Sequence, residues 1–123
     1  MIRVFIADDH DLVRAGLRRL LADEPDIEIV GEAASGDQLL DAVEHAPPDV
    51  IILDISMPGP GVLSLLADLR RMTPPRRAIV LSMHPEEEYA MRVIRAGAAG
   101  YLTKGASASH LVAAVRRAAE GGI

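Results

Sequence analysis

The sequence predicts an α/β protein built on a single five-stranded parallel sheet with helices on both faces, its strands taken in the common doubly wound order 2-1-3-4-5. Three observations carry that prediction. Five short apolar runs alternate with five stretches of helical hydrophobic spacing across 123 residues, with short connections and no repeat, linker or low-complexity tract. Two of the runs, 50–53 (V-I-I-L) and 78–81 (A-I-V-L), show no polar alternation, which is what a strand covered on both faces requires. Both runs then stop at a polar residue, Asp54 and Ser82, at the strand ends where open parallel sheets hold their ligands. Right-handed crossovers place the helices on the two faces.

Each element has its own local justification. Residues 2–7 (I-R-V-F-I-A) form the first strand, and the run Asp8-Asp9-His10-Asp11 supplies caps for a helix over 12–21. That helix carries Val13, Leu17, Leu20 and Leu21 on its apolar stripe, with Arg14, Arg18 and Arg19 expected to face outward, and Pro25 closes it. Residues 27–31 (I-E-I-V-G) give a half-buried second strand, and Ser35-Gly36-Asp37 is the next cap. Leu39, Ala42, Val43 and Ala46 recur at i, i+3, i+4 and i+7, so a second helix precedes Pro47-Pro48 and the third strand at 50–53. After Pro58-Gly59-Pro60-Gly61, the same spacing at Val62, Leu65, Leu66 and Leu69 gives a third helix, which ends before Pro74-Pro75. The fourth strand occupies 78–82. His84-Pro85-Glu86-Glu87-Glu88 opens the fourth helix, since proline suits a first turn and acidic groups favour the helix dipole there. That helix continues through Ala90, Val93 and Ile94 to Gly97, a left-handed cap. A short strand at 100–103, a loop at Lys104-Gly105 and a fifth helix over 108–120 complete the chain.

Composition narrows the function classes. Half of the residues are hydrophobic and only 2% aromatic, so Leu, Ile, Val and Ala fill the core and the few aromatics, Phe5, Tyr89 and Tyr101, stand out. A net charge of −5 argues against direct nucleic-acid binding. The absence of cysteine rules out disulfides and thiolate metal sites, and fits a reducing cytosol. Charges at Arg3, Asp8 and Asp9 interrupt the first apolar run, so no secretory signal is expected, and no run reaches the roughly 18 apolar residues of a membrane helix. A soluble, cytoplasmic domain without membrane contact is expected.

The strand ends carry the chemistry. Asp8-Asp9 follow the first strand, Asp54 the third and Ser82 the fourth, while Lys104 lies just past the fifth; in the predicted order these side chains converge on one crevice. Two carboxylates about 4 Å apart repel by roughly 4 kcal/mol at an effective dielectric near 20. Either the three are separated and solvated, or a cation holds them. Oxygen-only donors suit a hard ion that keeps several waters, Mg²⁺. Taken singly, Asp8 and Asp9 also read as caps, Asp54 as the start of a turn, Ser82 as a turn hydroxyl and Lys104 as an exposed charge. Together they describe a phosphoryl site in which Asp54, ending the most buried strand, is the covalent acceptor.

Four motifs in order, A-D-D-H at 7–10, I-L-D-I-S-M-P-G at 52–59, L-S-M-H at 81–84 and R-A-G-A-A-G-Y-L-T-K at 95–104, resemble those of response-regulator receiver domains of two-component signalling. The closest resemblance is to the LuxR/NarL/FixJ type, whose receivers precede a helix-turn-helix domain. The resemblance covers essentially the whole chain and implies a flavodoxin-like fold. It implies that Asp54 accepts a phosphoryl group from a sensor histidine kinase, and that Asp9, Asp54 and the Ser56 carbonyl bind Mg²⁺, with Asp8 acting largely through a metal-bound water. It further implies that Lys104 pairs with the acceptor or its phosphate, that the Ser82 hydroxyl moves to a phosphate oxygen, and that Tyr101 is the aromatic that turns inward afterwards. As an ordinary core aromatic, Tyr101 would need no such role.

The chain departs from the wider family at Gly105, where many receivers have a cis proline, at Met83, where a small residue is frequent, and in the stiff, kinked loop Gly59-Pro60-Gly61. Ser56 and His84 occupy positions that tune phosphate lifetime in the family. Residues 1–123 are expected to be one receiver domain of a longer regulator whose C-terminal helix-turn-helix domain makes any DNA contact. The apolar run Leu111-Val112-Ala113-Ala114-Val115 on the fifth helix, with Leu12 and Gly16 on the first, reads either as a homodimer face formed on phosphorylation or as small residues tolerated at a surface. A switch that catalyses only its own phosphorylation and dephosphorylation is expected rather than a turnover enzyme. The competing reading is a Mg²⁺-dependent aspartyl-phosphate phosphatase, but Ser56 stands where such enzymes have a second aspartate. A nucleotide-binding loop is not supported, since no G-K-[ST] sequence occurs.

Overall fold

Strand and helix alternate from end to end in the computed structural model, which describes residues 1–55, 57, 61–82, 87–103 and 108–121. In chain order these are β1 (Ile2–Ala7), α1 (Asp11–Ala22), β2 (Ile27–Ala33), α2 (Gly36–His45), β3 (Val50–Asp54), α3 (Val62–Arg71), β4 (Ala78–Ser82), α4 (Glu87–Arg95), β5 (Gly100–Thr103) and α5 (Ala108–Ala119). All strand pairs are parallel and the order is β2-β1-β3-β4-β5, as the sequence predicts.

Sidedness follows from strand alternation. Ile51 and Leu53 of β3 join Phe5, Leu39, Val43, Leu65, Leu69, Val80 and Val93 in a core under α2, α3 and α4. Val50 and Ile52 point the other way and join Val4, Ile6, Leu17, Leu21, Ile79, Leu111 and Val115 under α1 and α5. Every residue of β3 and of β4 is buried, which is why neither strand alternates. Both cores therefore meet on the same central strands.

Local signals set several ends. The Ser35 hydroxyl accepts the Gln38 backbone N–H at 3.3 Å and opens α2. Gly97 closes α4 with φ +109°, and its N–H bonds to the Ile94 carbonyl at 3.0 Å while that of Ala98 reaches Val93 at 3.0 Å. The strand β2 runs beyond its apolar run, through Glu32 to Ala33, because its ladder with β1 continues at Ile6↔Glu32 and Ala7↔Ala33. The register slips between Val4 and Phe5, which pair with Ile29 and Gly31. Gly31 lies under the Phe5 ring, and a Cβ there would stand 2.6 Å from Phe5 Cε2.

One expectation needs correction. Arg14 does not face outward: its side chain is 17% exposed and turns back over the end of β1. On α5, Leu111, Val112 and Val115 are buried in the chain's own core while Ala113 is exposed; Leu12 on α1 is 88% exposed.

On the opposite end of the sheet, Arg116 of α5 spans Asp26 in both of its carboxylate oxygens (2.9 and 2.8 Å) and Glu24 at 2.9 Å. The hydrogen bond from Arg116 holds the Asp26 carboxyl below its ordinary 3.8, although burial opposes it. No helix among the described residues is long and apolar enough to cross a membrane.

Gly31→Ala is expected to cost about 1–3 kcal/mol by overpacking against Phe5, read as a lower urea midpoint. Because the folded Asp26 has the depressed pKa, its contribution is complete above pH 3.8 and fades as pH falls through the folded value. The gap in thermal midpoint between the native chain and Asp26→Asn should therefore be open at neutral pH and close in acid.

Candidate functional site

The β1–β3 pairing decides the site. Ala7 lies opposite Leu53, so the next residue on each strand, Asp8 and Asp54, emerges at the same level. Both are almost wholly buried, at 1% and 2% exposure. Asp9 and His10 follow on the surface. One donor atom from each of Asp8, Asp9, His10 and Asp54 lies within 4.8 Å of every other. The strand β4 brings Ser82 to the next position along the sheet: Asp54 pairs with Leu81, and Ser82, 1% exposed, comes directly after it.

The turn is held from within. Asp8 Oδ1 accepts the His10 backbone N–H at 2.8 Å. The His10 ring Nδ1 stands 3.1 Å from the same oxygen and 3.0 Å from Asp9 Oδ1. His10 is also the N-cap residue of α1, but its side chain caps nothing. Arg14 Nη1 donates to the Asp8 carbonyl at 2.6 Å, and its Nε donates to Glu32 Oε1 at 3.2 Å.

Chemically, this is a cleft with three carboxylates and an imidazole at its mouth. Within 4.8 Å and at an effective dielectric near 20, a pair of ionised carboxylates repels by about 3.5 kcal/mol or more. The donors are hard oxygens apart from one ring nitrogen, the donor type that hard divalent cations prefer. Tyr101 is on β5 opposite Val80, half-buried, and packs against the core under α2, α3 and α4.

Of the residues predicted from sequence, Asp8, Asp9 and Asp54 come together, with Ser82 on the neighbouring strand end. Ser56 and Lys104 lie outside the described residues, as do Met83, His84, Gly105 and the loop 58–60. Sequence reasoning assigned His10 only to the cap and Arg14 only to the helix surface. The adjacency of His10 to two aspartates was the available signal for the first; for Arg14, helical periodicity gave none.

The chain matches the family described as response regulator receiver domain over residues 4–116. It is 42% identical over 116 residues to the response regulator GacA of Pseudomonas viridiflava, covering 94% of this chain and 54% of that protein. It is 43% identical to the response regulator UvrY of Escherichia coli, covering 94% and 53%. The chain thus spans about half the length of the curated relatives it matches. Among solved structures, the signal receiver domain of the response regulator NarL from Mycobacterium tuberculosis superimposes with a TM-score of 0.91 at 35% identity, covering 98% of this chain and 97% of that one. A two-component response regulator of the LuxR family from Aurantimonas sp. SI85-9A1 gives 0.91 at 32%, covering 98% and 86%.

In cation-free buffer, Asp54→Asn removes one charge from the cleft and is expected to stabilise the fold by about 1 kcal/mol, a fraction of the pairwise repulsion because Asp9 is solvated. Urea unfolding in a chelator checks the sign.

Proposed function

The chain belongs to the response regulator receiver domain family, and from that premise we propose that it is a phosphorylation-dependent signalling switch whose acceptor is Asp54. The observation that carries this reading is the meeting of Asp8, Asp9 and Asp54 at the ends of β1 and β3, with the Ser82 hydroxyl at the end of β4. The donor set fits Mg²⁺: the carboxylate oxygens are hard ligands, two come from buried residues, and the open side at Asp9 leaves room for water. Asp9, Asp54 and the Ser56 carbonyl would hold the ion directly, and Asp8 through a water. Bound there, Mg²⁺ supplies charge neutralisation for the carboxylates and for the transferred phosphoryl oxygens.

The chain's own residues do the rest. A carboxylate oxygen of Asp54 attacks phosphorus in the phosphohistidine of a sensor kinase; the O–P bond forms as the P–N bond breaks, and the imidazole leaves with the electron pair. Burial of Asp54 at the foot of the cleft keeps bulk water from competing with the attack. Lys104 pairs with the new phosphate, and the Ser82 hydroxyl donates to one of its oxygens. The added charge, about −1.5 to −2, biases a two-state equilibrium in the segment after β4. Tyr101, half-buried beside that strand, follows it inward.

This reading has an output side. Residues 1–123 act as the receiver of a longer cytoplasmic regulator, with a C-terminal helix-turn-helix domain making the DNA contacts; the half-length match to GacA and UvrY supports it. Self-association on phosphorylation uses the α1 side of the α1–α5 face, where Leu12 is exposed. The domain catalyses its own phosphoryl transfer and hydrolysis and turns over no external substrate.

Acetyl phosphate with Mg²⁺ should add one phosphoryl group by intact mass, base-labile and missing from Asp54→Ala. An adduct that survives in Asp54→Ala, or many-turnover hydrolysis of phosphate monoesters, would remove this reading in favour of another acceptor or of a phosphatase.

A further inference from the structure

Between β1 and α1 the chain must aim two successive carboxylates at the end of β3, and a loop of three residues does not hold direction unaided. The Asp8 side chain is tied locally through the His10 N–H. What remains is the peptide plane between Asp8 and Asp9. A peptide unit is rigid, so its orientation sets the dihedrals on either side and with them the direction of both Cβ atoms. Its carbonyl accepts Arg14 Nη1 at 2.6 Å.

Arg14 is itself clamped. Its Nε donates to Glu32 Oε1 at 3.2 Å, its Nη2 to Asp11, and the other Glu32 oxygen is held by Arg18 Nη1 at 2.7 Å. Glu32 is fixed in the ladder opposite Ile6. The guanidinium thus joins β2, the β1–α1 turn and the first turn of α1 through three separate N–H groups. Two carboxylates meet its charge, so it does not oppose a cation in the cleft.

We propose that Arg14 is a positioning residue for the acidic cleft: by holding the Asp8–Asp9 peptide it aims both carboxylates and sets the affinity of the cleft for a divalent cation. This rests on the cleft being a Mg²⁺ site. Groups that orient ligands in this way typically change metal affinity about 10- to 100-fold when altered. Lysine keeps the charge but cannot fork across three acceptors, so Arg14→Lys separates aim from charge.

The test is Mg²⁺ titration of the 123-residue chain by calorimetry, at a temperature where circular dichroism shows each variant folded. Arg14→Lys should bind about tenfold more weakly, and Glu32→Gln, which releases the far end of the fork, should weaken binding in the same direction. Arg19→Ala, an exposed charge of the same helix that lies outside the clamp, should stay within about twofold. Native affinity in Arg14→Lys overturns the proposal, as does equal weakening in Arg19→Ala, which would leave surface charge as the cause. Should Arg14→Lys not fold, Glu32→Gln decides: unchanged affinity there overturns the proposal. If the native chain binds no Mg²⁺, or Asp9→Ala binds it equally well, the cleft itself is misread and both conclusions fall.

Discussion

The strand β3 has no face that tolerates water, and the molecule is arranged around that constraint. All five of its residues are buried, which forces a neighbour on each side and a helical layer above and below. A carboxylate in such a strand is costly unless it sits at the very end, where the layers part. Asp54 occupies that end. The adjacent strand β1 ends level with it, so its own terminal acids are delivered to the same opening. Proximity of like charges is thus imposed by the sheet, and the fold accepts the repulsion there because the surrounding apolar contacts are extensive.

The periphery of the cleft is built to keep that concentration of charge in order. Asp8 is bonded by the backbone of its own turn, His10 leans across both neighbouring carboxylates, and Arg14 braces the turn from behind while spending its charge on Glu32 and Asp11. Much of the polar chemistry at this end of the sheet therefore serves orientation. The far end is different: Arg116 with Asp26 and Glu24 is an exposed clasp that ties α5 to the chain entering β2.

The architecture was legible because its signals are redundant. Uninterrupted apolar runs, turn residues and helical spacing each pointed to alternating elements, and the order of strands was the common one for such sheets. Asp8, Asp54 and Ser82 were legible because each directly follows an apolar run, and Asp9 because it stands next to the first of them. What escaped reading depends on tertiary geometry. Glu32 and Ala33 look like loop but pair with β1; Arg14 falls on the polar side of the α1 stripe yet bends back to a carbonyl; Val112 looks like surplus hydrophobicity but is buried in the core under α1 and α5. Hydrophobic periodicity reports which way a Cβ points, and a long side chain can end elsewhere.

The sheet also acts as a partition. Among the described residues its two cores have no side chain in common, because successive residues of each strand go to opposite sides. A laminate of this kind lets the α2–α3–α4 side be repacked over generations without disturbing the α1–α5 side, provided the strands keep their alternation. Divergence on one surface is thereby uncoupled from upkeep of the other.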